Sequence, residues 1–198
     1  MASQTQSSKR QPSSVSVPAA KPQCKIHSKA TIADKAQLIG PGTIVIGEDT
    51  LLHPHAKIIA EHGDVTIGKG CIIAEKAVVG VTQNILHNDV SIGEGVSMES
   101  GAMFEGSSIG NHSTIEVNAK VRRGAVIGQW CKIAPLCEVG EDEVLDDFTV
   151  VYGTGQRRVN TVLRDQQQIR DMKIKGREKE LRLLRTLIPD ASIKWSGT

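Results

Sequence analysis

Six histidines and four cysteines are the residues in this chain best suited to chemistry. Three imidazoles converging on one point hold a divalent metal. A single imidazole beside an acceptor hydroxyl or amine works as a general base, and a thiolate is a nucleophile. His53 and His55 are two residues apart, and no third ligand stands at a spacing that completes a set. His87 follows a polar stretch with Gln83 and Asn84 and precedes Asn88, which makes it the one attractive general-base candidate. A solvated loop residue is the better reading of that single histidine. The spacing therefore predicts no catalytic residue, no metal site and no cofactor.

The elements that must position these groups are legible as a repeat. Ile109, Ile115, Val121, Ile127, Ile133, Val139, Leu145 and Val151 recur every six residues without a break. Earlier runs obey the same rule: Ile26, Ile32 and Leu38; Ile46, Leu52 and Ile58; Ile67, Ile73 and Val79; Ile92, Met98 and Phe104. Four residues after most of them stands a small side chain, such as Ala56, Cys71, Ala102, Ser113, Cys131 or Cys137. A strand turns alternate side chains to opposite faces, so each aliphatic and the small residue two before it share one face. Six residues make one side, and three sides close a coil of eighteen, as Ile109, Ile127 and Leu145 attest. Coils stacked at about 4.8 Å turn the inward residues into three aliphatic ladders. Glycine often follows the aliphatic, as at Gly47, Gly68 and Gly110, where a Cβ would clash or φ must be positive. The predicted fold is an all-β solenoid, a parallel β-helix of hexapeptide repeats over residues 26–155. In that frame Cys71, Cys131 and Cys137 are compact core residues. Cys71 and Cys131 lie three coils apart, roughly 14 Å, too far for a disulfide.

The repeat is interrupted near Glu61 to Asp64, again through Gln83, Asn84, His87 and Asn88, and by one missing residue between Phe104 and Ile109. Glu143 stands where a small residue is usual, which predicts a distorted last coil. Residues 1–25 are rich in Ser, Gln and Pro, and predict a disordered tail; they lack an apolar signal core and an amphipathic Leu/Arg pattern. Residues 156–198 predict a helical extension from about Asn160 to Ile188, with Leu181, Leu184 and Ile188 as its apolar stripe. Gly176 is expected to weaken or divide that helix, and Pro189 to end it. An uncapped solenoid exposes apolar surface and strand edges, so this extension is expected to lie against the barrel. Net charge is +2 and aromatics are 3% of the chain, which excludes a dedicated nucleic-acid surface of the basic, aromatic kind. No apolar run approaches the roughly 18 residues that span a bilayer, so no membrane insertion is expected. Unpaired core cysteines favour the cytosol.

The tight hexads resemble the left-handed β-helix family, and the left hand is taken from that resemblance. Two chemistries are known on this scaffold. The γ-class carbonic anhydrases carry a His-x4-His pair and an early Arg-x-Asp; this chain has no His-x4-His and reads Ile39-Gly40-Pro41-Gly42 in place of Arg-x-Asp. Hexapeptide acyltransferases use a histidine base, which leaves His87. Either would be a homotrimer. A more specific resemblance lies in His53-Pro54-His55-Ala56-Lys57-Ile58-Ile59-Ala60-Glu61, in Ile44-Val45-Ile46-Gly47, in Val150-Val151-Tyr152-Gly153 with Arg157-Arg158-Val159, and in Leu184-Arg185-Thr186-Leu187-Ile188-Pro189. These segments, in this order, resemble the hexapeptide-repeat subunits of the dynactin pointed end. The resemblance implies a non-catalytic structural subunit, cytoplasmic and associated with the cytoskeleton, that supports dynein-driven transport along microtubules. It implies as partners dynactin subunit 5, dynactin subunit 4, the pointed-end actin-related protein and dynein cargo adaptors.

Three residues after each first-column aliphatic, an outward row reads Asp49, Gly70, Gly95, His112, Trp130, Phe148. Three rings thus align at one edge in a chain with few rings. His112, Trp130 and Phe148 are expected to meet either a partner subunit or the C-terminal helix. Arg122 and Arg123, outward or at a corner, are a second interface candidate for an acidic neighbour.

Overall fold

The computed structural model describes residues 22–81 and 87–195. Of the tail expected at residues 1–25, residues 1–21 lie outside the described residues, as do Gln83 and Asn84 of the inserted loop, while Gln23, Cys24 and Lys25 are in strand. The chain winds into a parallel β-solenoid with three walls. Among the described residues the first wall has seven strands, from Gln23–Ile26 to Val144–Leu145. The second runs from Thr31–Ile32 to Thr149–Tyr152 and gains an antiparallel strand, Gln156–Val159. The third, among the same residues, has six strands, from Gln37–Ile39 to Glu138–Val139. Strand therefore begins before residue 26 and continues past residue 155. Gln23–Ile26 pairs in register with Thr43–Ile46, and Tyr152 with Gln156 closes a hairpin.

The three aliphatic columns are hydrogen-bonded neighbours. Ile46, Ile67, Ile92, Ile109, Ile127 and Leu145 stack in one; Leu52, Ile73, Met98, Ile115, Ile133 and Val151 in the next; Ile58, Val79, Phe104, Val121 and Val139 in the third. All are buried, and each such side chain contributes about 1.5–3 kcal/mol relative to an exposed one. Buried hydroxyls in the small column are satisfied. Thr50 Oγ1 donates to the Gly68 carbonyl, and Ser113 Oγ to that of Gly128.

At Gly47 and Gly110 the corner needs the absence of a Cβ, the first of the two reasons expected, and not a positive φ. A Cβ on Gly47 would sit 2.6 Å from the Gly68 carbonyl carbon, and one on Gly110 2.5 Å from that of Gly128. The left-handed backbone lies two residues further on, at Asp49, Gly70, Gly95, His112, Trp130 and Phe148. Contrary to expectation, the last coil is not distorted at Glu143. Val144–Leu145 keeps register with Val126–Ile127. The Glu143 carboxylate swings outward, accepts from the Gly140 N–H at 2.8 Å and pairs with Arg157 at 2.7 Å. The insertions all fall at the corner from third to first wall, and their described ends are tied together there: the Asp64 carboxylate accepts from the Thr43 N–H, and that of Asp89 from the Asp64 N–H. Register elsewhere is thereby preserved.

After the hairpin, Asn160 caps helix α1 (Thr161–Asp165) by accepting from the Leu163 N–H. Helix α2 (Gln167–Leu187) then runs the length of the barrel. Gly176 does not divide it; the helical break falls at Gln166. Leu181, Leu184 and Ile188 pack on Leu51 and Ile72, two outward residues of the second wall. The chain beyond α2 covers the N-terminal coil. Asp190 accepts from the Ile32 N–H, the Ala191 N–H donates to the Ile32 carbonyl, and Trp195 packs against the core. The first strand edge of the second wall is thus paired instead of bare.

Candidate functional site

The row of left-handed residues at the corner between first and second walls is where α2 meets the solenoid. Arg185 pairs with Asp49 at 2.5 Å. Leu181 Cδ1 lies 3.7 Å from where a Gly70 Cβ would be. Arg177 Nη1 donates to Ser97 Oγ at 3.3 Å, and the Arg170 guanidinium stands 5.8 Å over the Phe148 ring. Helix and solenoid match in pitch. Arg170 to Arg185 spans about 22 Å at ~1.5 Å per residue, and the five coil steps from Phe148 to Asp49 span about 24 Å. Gly70 and Gly95 leave room at the centre of the row, while charge and rings hold its ends.

The three predicted ring residues come together here. His112 and Trp130 stack with centroids 4.5 Å apart, tilted by 30°. Trp130 is only 8% exposed, so the row is covered at that ring, while its other members are half-buried. Burial pushes the His112 imidazole below its ordinary value, against the opposing pull of Glu94. Arg122 and Arg123 find their acidic neighbours within the chain, on Glu138 at 2.7 Å and Glu141 at 3.2 Å.

The candidates for chemistry are scattered. His87 Nε2 is 3.0 Å from Asp89, and both side chains are mostly exposed. Asp89 is held below the usual carboxylate range by the Asp64 N–H. His55 is exposed in a left-handed turn. His53 is half-buried on the second wall, and its Nε2 has no hydrogen-bond partner. No group of three or more His, Cys, Asp or Glu is arranged to hold a metal among the described residues. Burial pushes the Cys71 and Cys131 thiols up to about 11, and their sulfurs lie against the carbonyls of Gly93 and Asp146. Such thiols are poor nucleophiles.

Sequence reasoning missed Leu51 and Ile72. Their signal was present: both are apolar at the outward position just before a second-column aliphatic. The matching stripe is Leu181, Leu184 and Ile188.

The family model described as GlmU-like, C-terminal hexapeptide matches residues 50–155. Dynactin subunit 6 of Xenopus tropicalis is 35% identical over 146 residues, covering 69% of this chain and 72% of that protein. Dynactin subunit 6 of Danio rerio is 35% identical over 130 residues, covering 61% and 67%. Among solved structures, a hexapeptide transferase family protein from Anaplasma phagocytophilum superposes with a TM-score of 0.52 at 16% identity, covering 82% of this chain and 92% of that one. That likeness shows the fold alone.

Proposed function

The chain belongs to the dynactin subunit 6 family of hexapeptide-repeat solenoids, and from this premise we propose that it is a non-catalytic structural subunit of the dynactin pointed end. The observation that carries the proposal is the 35% identity to a dynactin subunit 6 across 72% of that protein's length. The placement of the reactive groups is consistent with it: the thiols of Cys71 and Cys131 are buried in the core, and the His87–Asp89 pair is open to solvent. Dynactin subunit 5, dynactin subunit 4 and the pointed-end actin-related protein are the proposed neighbours, in the cytoplasm and in support of dynein-driven transport. His112, Trp130 and Phe148 serve this role indirectly, by seating α2. The charged cluster of Arg122, Arg123, Glu138 and Glu141 is the proposed contact on the third wall.

The competing reading is a homotrimeric hexapeptide acyltransferase or a γ-carbonic-anhydrase-like trimer. Mass determination after size exclusion, alone and with the three proposed neighbours, separates the two. A stable mixed complex and no acetyl-CoA turnover are expected. A homotrimer that turns over acetyl-CoA or hydrates carbon dioxide, and ignores those subunits, would overturn the proposal.

A further inference from the structure

Helix α2 has two unlike faces. Arg170, Ile174, Arg177, Leu181, Leu184 and Ile188, spaced by four and three, face the solenoid. Opposite them, Met172, Leu183 and Leu187 are 68%, 61% and 66% exposed. Gly176 lies on the same side, and nothing stands within 4 Å of where its Cβ would be. At about 100° per residue, these four residues fall within roughly 60° of arc. Lys175, Lys179 and Arg182 fill the adjoining arc. Arg182 meets Glu178 at 3.9 Å, while Lys175 and Lys179 make no ion pair among the described residues. The outer face is thus itself amphipathic, an apolar strip with a basic border.

Gly176 has no reason within the fold. It sits mid-helix, where glycine is the poorest helix former after proline, and it makes no close approach to the solenoid. A glycine on an outer helix face allows another backbone to come near. Resting on the subunit reading above, we propose that the outer face of α2 docks an amphipathic helix of a partner subunit, with apolar residues against Met172, Gly176, Leu183 and Leu187 and carboxylates beside Lys175, Lys179 and Arg182. Charge complementarity selects this occupant. A second copy of α2 would oppose lysines with lysines. The chain's own first 21 residues carry Lys9, Arg10 and Lys21 and no carboxylate, so they repel this border as well.

The test uses the full chain co-expressed pairwise with dynactin subunit 5, dynactin subunit 4 and the pointed-end actin-related protein, with affinity measured by analytical ultracentrifugation. Gly176→Leu is expected to raise the thermal midpoint by about 2–4 °C through helix propensity, and to weaken assembly at least tenfold by blocking the close approach. Lys179→Glu is expected to weaken assembly at least tenfold with the fold intact. Wild type that assembles with none of the three overturns the subunit reading, and this proposal with it. Wild type that assembles, with both variants assembling equally well, overturns the docking face alone. Binding of wild type to phosphatidylserine vesicles, lost in Lys179→Glu while subunit assembly is unchanged, assigns the face to an anionic lipid surface and overturns the helix.

Discussion

Trp130 stacks on His112 with ring centroids 4.5 Å apart, and both residues hold left-handed backbone, at φ 56° and 59°. Such backbone costs an L-residue about 1–2 kcal/mol. It persists here because the stack and the cover of α2 offset the cost. Trp130→Ala loses both and keeps the strain. Trp130→Gly loses both and relieves it. Trp130→Gly should therefore be the more stable of the two by about 1 kcal/mol, the reverse of the usual order. Urea unfolding of both variants measures this, and an alanine variant as stable as the glycine would refute it.

The glycines that follow the wall aliphatics should divide by what stands above them. Gly110→Ala places a Cβ 2.5 Å from the Gly128 carbonyl carbon. Backbone of a neighbouring coil has little room to yield, so a loss of at least about 2 kcal/mol is expected. Gly140→Ala meets only the Glu143 Oε2 at 3.5 Å and should be near neutral. Thermal melts of the pair decide it; equal losses would mean that stacking is not the reason for these glycines.

Leu181 is the buried residue of α2, set against Leu51 and Ile72. Leu181→Ala should cost about 2–4 kcal/mol and loosen the helix before the barrel. Limited proteolysis should then cut within α2 while the hexads stay intact. Cleavage spread evenly over both would argue against a separable layer.

His53 gives stability a pH dependence. Burial lowers its imidazole below the ordinary 6.5, with Glu99, Glu75 and Glu180 opposing the shift. The folded state therefore binds its proton later than the unfolded chain does. Its stability contribution is complete above about pH 6.5 and is lost as pH falls from there towards the lower folded value. The thermal midpoint should drop through that window, and His53→Gln should flatten the drop. An unchanged profile in the variant would assign the dependence to another group.

The hexads, the three columns and the seat of Cys71, Cys131 and Cys137 were readable from spacing, because a strand's alternation ties position to face. The extension's apolar stripe was readable for the same kind of reason, with a period of 3.6. The role of the corner glycines was not. Whether a glycine answers to φ or to a neighbouring coil depends on what lies a full coil away. Glu143 misled as well, because its partner Arg157 arrives from a hairpin that no hexad foretells.

By itself the sequence determined the winding of this protein: six residues to a side, three sides to a coil, aliphatics inward, thiols out of reach. These follow from local alternation and from the cost of leaving apolar side chains in water. Only the tertiary structure decided what the outside is for. It laid α2 along the left-handed corner, matched its rise to the stacking of coils, covered Trp130, and left Met172, Gly176, Lys179 and Leu183 facing out. A helix of this composition has two faces of comparable polarity, and only packing against the barrel chooses which of them remains free.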